Sequence, residues 1–132
     1  MLSPSHPPKI LIVEDDSFLM NVYEKKFLQS GFEILKAADG EATIALLSQG
    51  NIPDIILLDI IMPKKNGFEV LNSLHQHIEW QKIPVVIISN LGQESDRAHG
   101  KELGAVEYLV KSDTSLEQIV ERVTKLTNQA RA

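Results

Sequence analysis

The sequence predicts an α/β domain, a doubly wound parallel sheet of five strands with helices on both faces. Three observations predict it. Short apolar runs at 10–13, 55–58 and 85–88 alternate with segments of helical periodicity. The runs are apolar at consecutive positions, as in strands covered on both faces. A helical segment follows each strand candidate, and crossovers of that kind join parallel neighbours. With 132 residues, 43% of them hydrophobic, the chain is long enough for one domain with its own core.

Residues 1–8 are rich in proline and serine, lack an apolar signal core, and read as a flexible N-terminal tail. Residues 9–13 are the first strand candidate and end abruptly in acids. The helix at 16–30 carries Leu19, Val22, Tyr23 and Phe27 at helical spacing, with Asp16 as its cap and Gly31 as its stop. Residues 32–36 are a short second strand. The helix at 40–49 sets Ala42, Ala45 and Leu46 on one face, and Gly50 closes it. Residues 53–58 are the third strand, with Asp59 at its carboxyl end. Pro63 and Gly67 mark a turn. The helix at 67–78 then aligns Phe68, Leu71, Leu74 and Ile78 towards a core, and Trp80 is expected to pack at its end.

The fourth strand, 84–88, is followed by Ser89 and Asn90. A more polar helix spans 94–103 and stops at Gly104. The fifth strand, 106–110, ends at Lys111. The last helix, 115–128, has Leu116, Ile119, Val120, Val123 and Leu126 as its apolar stripe. The domain is expected over 9–128, with 129–132 as a C-terminal tail. No internal repeat or linker interrupts it. Strand order stays open at this point.

Composition narrows the function. Thirteen lysines and arginines stand against 18 acids, a formal charge of −5, and no dense basic run appears. Nucleic-acid binding by this chain is therefore not expected, and no apolar run approaches a membrane span. The absence of cysteine excludes a disulfide framework and a thiolate metal site, in keeping with a reducing cytoplasmic setting.

The polar residues gather at strand ends. Glu14, Asp15 and Asp16 follow the first strand, Asp59 ends the third, Ser89 the fourth and Lys111 the fifth. Ligands of open parallel sheets bind at those carboxyl ends. If strands one and three are neighbours, the groups converge. Several carboxylates in one pocket raise each other's pKa unless a cation is present, and an all-oxygen site suits Mg²⁺. A carboxylate beside such an ion can attack a phosphoryl donor and form an acyl phosphate. A lysine and a hydroxyl would stabilise the phosphoryl oxygens. Asp59, Lys111 and Ser89 have the chemistry for those roles.

From Lys9 to about Asn128 the sequence resembles a bacterial response-regulator receiver domain. Four motifs in order carry the resemblance: Ile-Val-Glu-Asp-Asp at 12–16, Leu-Asp-Ile-Ile-Met-Pro at 58–63, Ile-Ser-Asn at 88–90 and Glu-Tyr-Leu-Val-Lys at 107–111. The resemblance implies a flavodoxin-like sheet of order 2-1-3-4-5. It implies Asp59 as phospho-acceptor and a Mg²⁺ site of Asp15, Glu14 through water, Asp59 and the Ile61 backbone carbonyl. Ser89 and Lys111 would contact the phosphoryl group, and Tyr108 would change rotamer as the hydroxyl moves inward. It further implies a sensor histidine kinase or phosphotransfer protein as donor and a protein target downstream, since residues 127–132 suggest only a polar tail. The chain would be no enzyme beyond its own Mg²⁺-dependent phosphorylation and slow dephosphorylation.

Two departures from the family pattern stand out. Ser112 follows Lys111 where proline is usual, so the loop 111–114 is expected to be trans or differently shaped. Ile61 and Leu91 lie two residues beyond Asp59 and Ser89, where polar side chains are common. Apolar groups there should hinder an attacking water. The rivals are a receiver-like binding module that signals without phosphorylation, an aspartyl-phosphate hydrolase and a flavin carrier. The hydrolase would want an acid at 61, and the flavin carrier's phosphate would be repelled by the acids after strand one. His75 and His77, two apart on a helix, are expected at the surface. Lys64 and Lys65 read as a solvated loop pair that could recruit a phosphorylated partner.

Overall fold

The computed structural model describes residues 6–62 and 66–131. Pro63, Lys64 and Lys65 lie outside the described residues, as do 1–5 of the expected N-terminal tail; His6–Pro8 are neither helix nor strand. Five strands, β1 (Lys9–Val13), β2 (Glu33–Ala37), β3 (Ile55–Asp59), β4 (Val85–Ser89) and β5 (Glu107–Val110), alternate with five α-helices. The helices are α1 (Ser17–Gln29), α2 (Gly40–Ser48), α3 (Gly67–His75), α4 (Glu94–Glu102) and α5 (Leu116–Arg131). All pairings are parallel and the order is β2-β1-β3-β4-β5, so β1 and β3 are neighbours.

Alternation along the strands splits the core into two layers. Leu11, Val13, Ile56, Leu58 and Ile87 point to one face, where α2 and α3 cover them with Leu47, Val70, Leu71 and Leu74. Ile10, Ile12, Ile55, Leu57, Val86 and Ile88 point to the other, under Met20, Tyr23 and Phe27 of α1 and Ile119, Val120 and Val123 of α5. β3 and β4 are buried along their whole length, which is why their residues run apolar without alternation.

Local chemistry sets the helix ends. Asp16 Oδ1 accepts from the amides of Phe18 at 2.9 Å and Leu19 at 3.1 Å. Asn66 and Glu69 form a reciprocal capping box at the start of α3. Gly104 follows α4 at φ 107°, a conformation that L side chains rarely adopt.

Several expectations are corrected. On α2 the buried face is Gly40, Thr43 and Leu47, and Ala45 is exposed. Thr43 tolerates burial because its hydroxyl donates to the Asp39 carbonyl at 2.9 Å. Helix α3 ends at His75, so Ile78 is 76% exposed and Trp80 fills the core in its place, stacked on His77. His75 and His77 are both exposed. Helix α5 continues to Arg131, so 129–131 are helical rather than tail; the Arg131 guanidinium donates to the His6 carbonyl at 2.6 Å. The first strand keeps its expected bounds, and the others shift by one or two residues, most at β3, which opens at Ile55 rather than at residue 53. Phe32 ends the α1 turn through its amide to the Phe27 carbonyl instead of opening β2.

Candidate functional site

The pairing of β1 with β3 brings the two acidic strand ends together. Val13 lies in register with Leu58, one residue before Glu14 on one strand and Asp59 on the other. Glu14, Asp15 and Asp59 offer carboxylate oxygens that all lie within 4.8 Å of one another. Glu14 and Asp59 are buried, while Asp15 is exposed. From the far end of β5, Lys111 reaches across. Its Nζ donates to Glu14 Oε1 at 3.1 Å and to Asp59 Oδ2 at 3.4 Å. These groups line a cleft of about 360 Å³ with Asp16, Leu19, Ile61 and Asn90.

Two backbone features hold the acids in place. The Asp16 amide donates to Glu14 Oε2 at 3.1 Å, and the Ile61 amide donates to Asp59 Oδ1 at 3.3 Å. The Gly67 amide bonds the Ile60 carbonyl at 2.9 Å. A Cβ on Gly67 would stand 2.6 Å from the Asp59 carbonyl oxygen and from Ile60 Cα. Only glycine permits that approach.

The electrostatics are those of a site with more negative charge than its lysine can neutralise. Burial raises the pKa of Glu14 to about 7, Asp59 adds to the rise, and the Asp16 amide and Lys111 oppose it. Asp59 is also raised, by burial, against the pull of Lys111 and the Ile61 amide. Burial alone would lower Lys111, but the charge of Asp59 and the bond to Glu14 outweigh it and hold its pKa above the usual value. The donor set fits a hard divalent cation: three carboxylates, all oxygen, in an open cleft.

Ser89 and Tyr108 stand apart from the acids. Ser89 is buried at the end of β4, and its Oγ accepts from the Leu91 amide at 3.1 Å. It does not line the acidic cleft. Tyr108 is turned inward, and its hydroxyl donates to the Leu91 carbonyl at 2.6 Å. Burial raises its phenol pKa, with the Ser89 hydroxyl opposing. Ile61 is 57% exposed and lines both the acidic cleft and an adjoining groove with Leu91 and Phe68. The Lys111–Ser112 peptide is trans and opens a short 3₁₀ turn, Lys111–Asp113. Sequence reasoning missed Leu19 and Asn90 as lining residues. Asn90, directly after a strand's carboxyl end, carried a positional signal; Leu19 carried none.

A five-stranded parallel sheet of order 2-1-3-4-5 with an acidic, lysine-bridged cleft at its carboxyl edge defines a flavodoxin-like class of α/β domain. The sequence profile of the response regulator receiver domain matches residues 10–124, and the chain belongs to that family. It is 43% identical over 103 residues to the transcriptional regulatory protein CpxR of Klebsiella pneumoniae, covering 78% of this chain and 42% of that protein. It is 35% identical over 124 residues to a probable transcriptional regulator, ycf27, of Guillardia theta, covering 92% of this chain and 47% of that one. The chain thus spans about half the length of these curated relatives. Protein PilH of Pseudomonas aeruginosa is closer in size, 39% identical over 78% of this chain and 84% of its own. Among solved structures, the receiver domain of Francisella response regulator 1452 superposes with a TM-score of 0.84 at 29% identity, covering 92% of this chain and 98% of that one. The Mn²⁺-bound form of response regulator Rcp1 gives 0.78 at 33% identity and 91% coverage of both. Two-component signalling is the setting of this family. Among the described residues, no helix is long and apolar enough to cross a membrane.

Proposed function

We propose that this chain is switched by phosphorylation of Asp59, and the ammonium of Lys111 held between Glu14 and Asp59 is the observation that carries the reading. A phosphorylated histidine on a sensor kinase or phosphotransfer protein would be the donor. An Asp59 carboxylate oxygen attacks phosphorus and forms the new O–P bond. The P–N bond breaks, and the imidazole nitrogen leaves with its electron pair and takes up a proton. Glu14, Asp15, Asp59 and the Ile61 carbonyl would hold Mg²⁺, which supplies charge neutralisation between the carboxylates and the incoming phosphoryl oxygens. Lys111 would then pair with the phosphoryl group, while Ser89 donates its hydroxyl to a phosphoryl oxygen.

The acyl phosphate, at nearly −2 where the carboxylate carried −1, would bias Ser89, Tyr108 and the β4–α4 loop between two arrangements and so alter a protein-binding surface. Ile61, exposed over the cleft, and Leu91 beside it support slow hydrolysis of the acyl phosphate, because neither can orient a water. As the partner of such donors the chain would act in the cytoplasm, with a protein as its target.

Incubation with acetyl phosphate tests the reading. Intact mass should rise by one phosphoryl group in wild type with Mg²⁺, and not with chelator or in Asp59→Ala. A gain that survives Asp59→Ala would refute it, and no gain in wild type would favour a binding module that works without phosphorylation.

A further inference from the structure

Ser89 and Tyr108 share one partner. The Leu91 amide donates to Ser89 Oγ at 3.1 Å, and the Leu91 carbonyl accepts from the Tyr108 hydroxyl at 2.6 Å. Two side chains from neighbouring strands thus hold the backbone of a single loop residue. Ser89 ends β4, one residue past Ile88, the register partner of Asp59. It is fully buried, and it does not line the acidic cleft although Asn90 beside it does. Tyr108 is 6% exposed, so its ring already lies inward in the unphosphorylated chain.

These bonds set the terms on which Ser89 can serve Asp59. The ladder pairs Ser89 with Val110 and fixes its backbone, so the hydroxyl approaches the cleft by turning to another staggered rotamer. That turn takes Oγ away from the Leu91 amide, which must then find water or a new acceptor. Any shift of Leu91 also moves the carbonyl that anchors Tyr108. The Leu91 side chain lines the groove with Ile61 and Phe68, so the shift reaches the surface.

We propose that the Leu91 backbone is an internal latch against activation: its amide keeps the Ser89 hydroxyl out of the cleft, its carbonyl keeps Tyr108 inward, and both are released when Ser89 turns to an acyl phosphate on Asp59. The inference rests on Asp59 being the phosphoryl acceptor. The bond from Tyr108 to Leu91 then belongs to the resting state and opposes phosphorylation. A tyrosine bond that formed only on activation would favour it instead.

Beryllofluoride with Mg²⁺, a stable stand-in for the phosphoryl group, separates the two cases. Tyr108→Phe keeps the ring and removes the bond to Leu91, so the beryllofluoride dissociation constant should fall about 3- to 10-fold, the worth of one hydrogen bond. In a Ser89→Ala background, with no hydroxyl to release, the same substitution should change it by less than about 2-fold. Amide exchange at Leu91 gives a readout that needs no tyrosine variant. Beryllofluoride should speed it about 3- to 10-fold in wild type, whereas Ser89→Ala should speed it without the ligand and leave beryllofluoride nothing to add. An unchanged or raised dissociation constant in Tyr108→Phe would overturn the inference, and so would Leu91 exchange that beryllofluoride does not alter. A wild type that binds no beryllofluoride would instead overturn the reading of Asp59, and this inference with it.

Discussion

Helices α1 and α4 lie at opposite ends of the sheet, α1 against β1 and β2 and α4 against β5, and are held by different forces. Helix α1 is anchored by a side-chain cap at Asp16 and by Met20, Tyr23 and Phe27 buried in the core. Helix α4 buries only Gly100, and its cap residue, Gln93, makes no side-chain bond. Beyond Gly100 and a ring contact of His99 with Phe68 at 4.5 Å, what favours α4 is internal: Glu94 and Asp96 in its first turn and His99 and Lys101 in its last complement its dipole. Such terms contribute a few tenths of a kcal/mol each at an exposed surface, far less than burial. The acids proposed to hold the metal, which would need fixed spacing, sit beside the anchored helix. Ser89, Leu91 and Tyr108 sit beside the loosely held one, where rearrangement costs little. The division matches the division of labour proposed for the site.

Phe27→Ala should give the largest effect of the comparison. Phe27 is fully buried and packs edge-on against Phe32 at 5.2 Å. Its truncation should cost about 3–5 kcal/mol in urea unfolding, whereas Arg97→Ala on exposed α4 should stay within about 0.5 kcal/mol. Comparable losses at the two positions would erase the contrast.

The anchored side also carries an electrostatic cost. Glu14, 2% exposed, keeps its proton in the folded state up to about pH 7 but loses it near 4.5 when unfolded. Between those values the folded state binds more protons, so stability of the metal-free protein falls as pH rises from 4.5 to 7. Asp59, also raised, acts in the same direction, and Lys111, raised above 10.5, contributes nothing in that window. Glu14→Gln should therefore gain on wild type by up to about 3 kcal/mol between pH 4.5 and 7.5 in chelator, measured by urea unfolding at each pH. Mg²⁺ should shrink that gain, because it favours the ionised carboxylates. A difference that is flat across pH would mean that Glu14 is ionised throughout.

The fold was legible where burial is continuous. β1, β3 and β4 are apolar at consecutive positions because both sheet faces are covered, and no other arrangement of short apolar runs and helices explains that pattern. Boundaries were less so. Nothing at Gln76 signals a stop, so periodicity carried α3 on to Ile78, while the chain turned at His77 and buried Trp80. Ala45 fitted an apolar face better than Thr43, yet the backbone bond that lets Thr43 be buried depends on Asp39 capping the helix. In the site, charge made Glu14, Asp15, Asp59 and Lys111 visible individually. Their convergence depends on β1 pairing with β3, which no local pattern specifies and which the resemblance supplied. Tyr23 read as core because its stripe is core, and there the structure agrees.

Gly100→Ala probes the buried residue of α4, with the smallest expected effect. A Cβ there would lie 2.7 Å from Ile87 Cδ1 and 3.1 Å from Tyr108 Cδ2. Alanine gains about 1 kcal/mol of helix propensity over glycine, and overpacking costs about 1–3 kcal/mol. The net should be a loss of about 1 kcal/mol. Because Ile87 is fully buried, the yielding partners should be α4 and the Tyr108 ring. Lifting α4 should speed amide exchange along Glu94–Glu102 and weaken the bond from Tyr108 to the Leu91 carbonyl, while exchange in α1 stays unchanged. Native-state hydrogen exchange reads both helices in one experiment. If Gly100→Ala instead stabilised the protein with Tyr108 undisturbed, the contact at Gly100 would not couple α4 to the tyrosine, and the loosely held helix would have no mechanical hold on the switch.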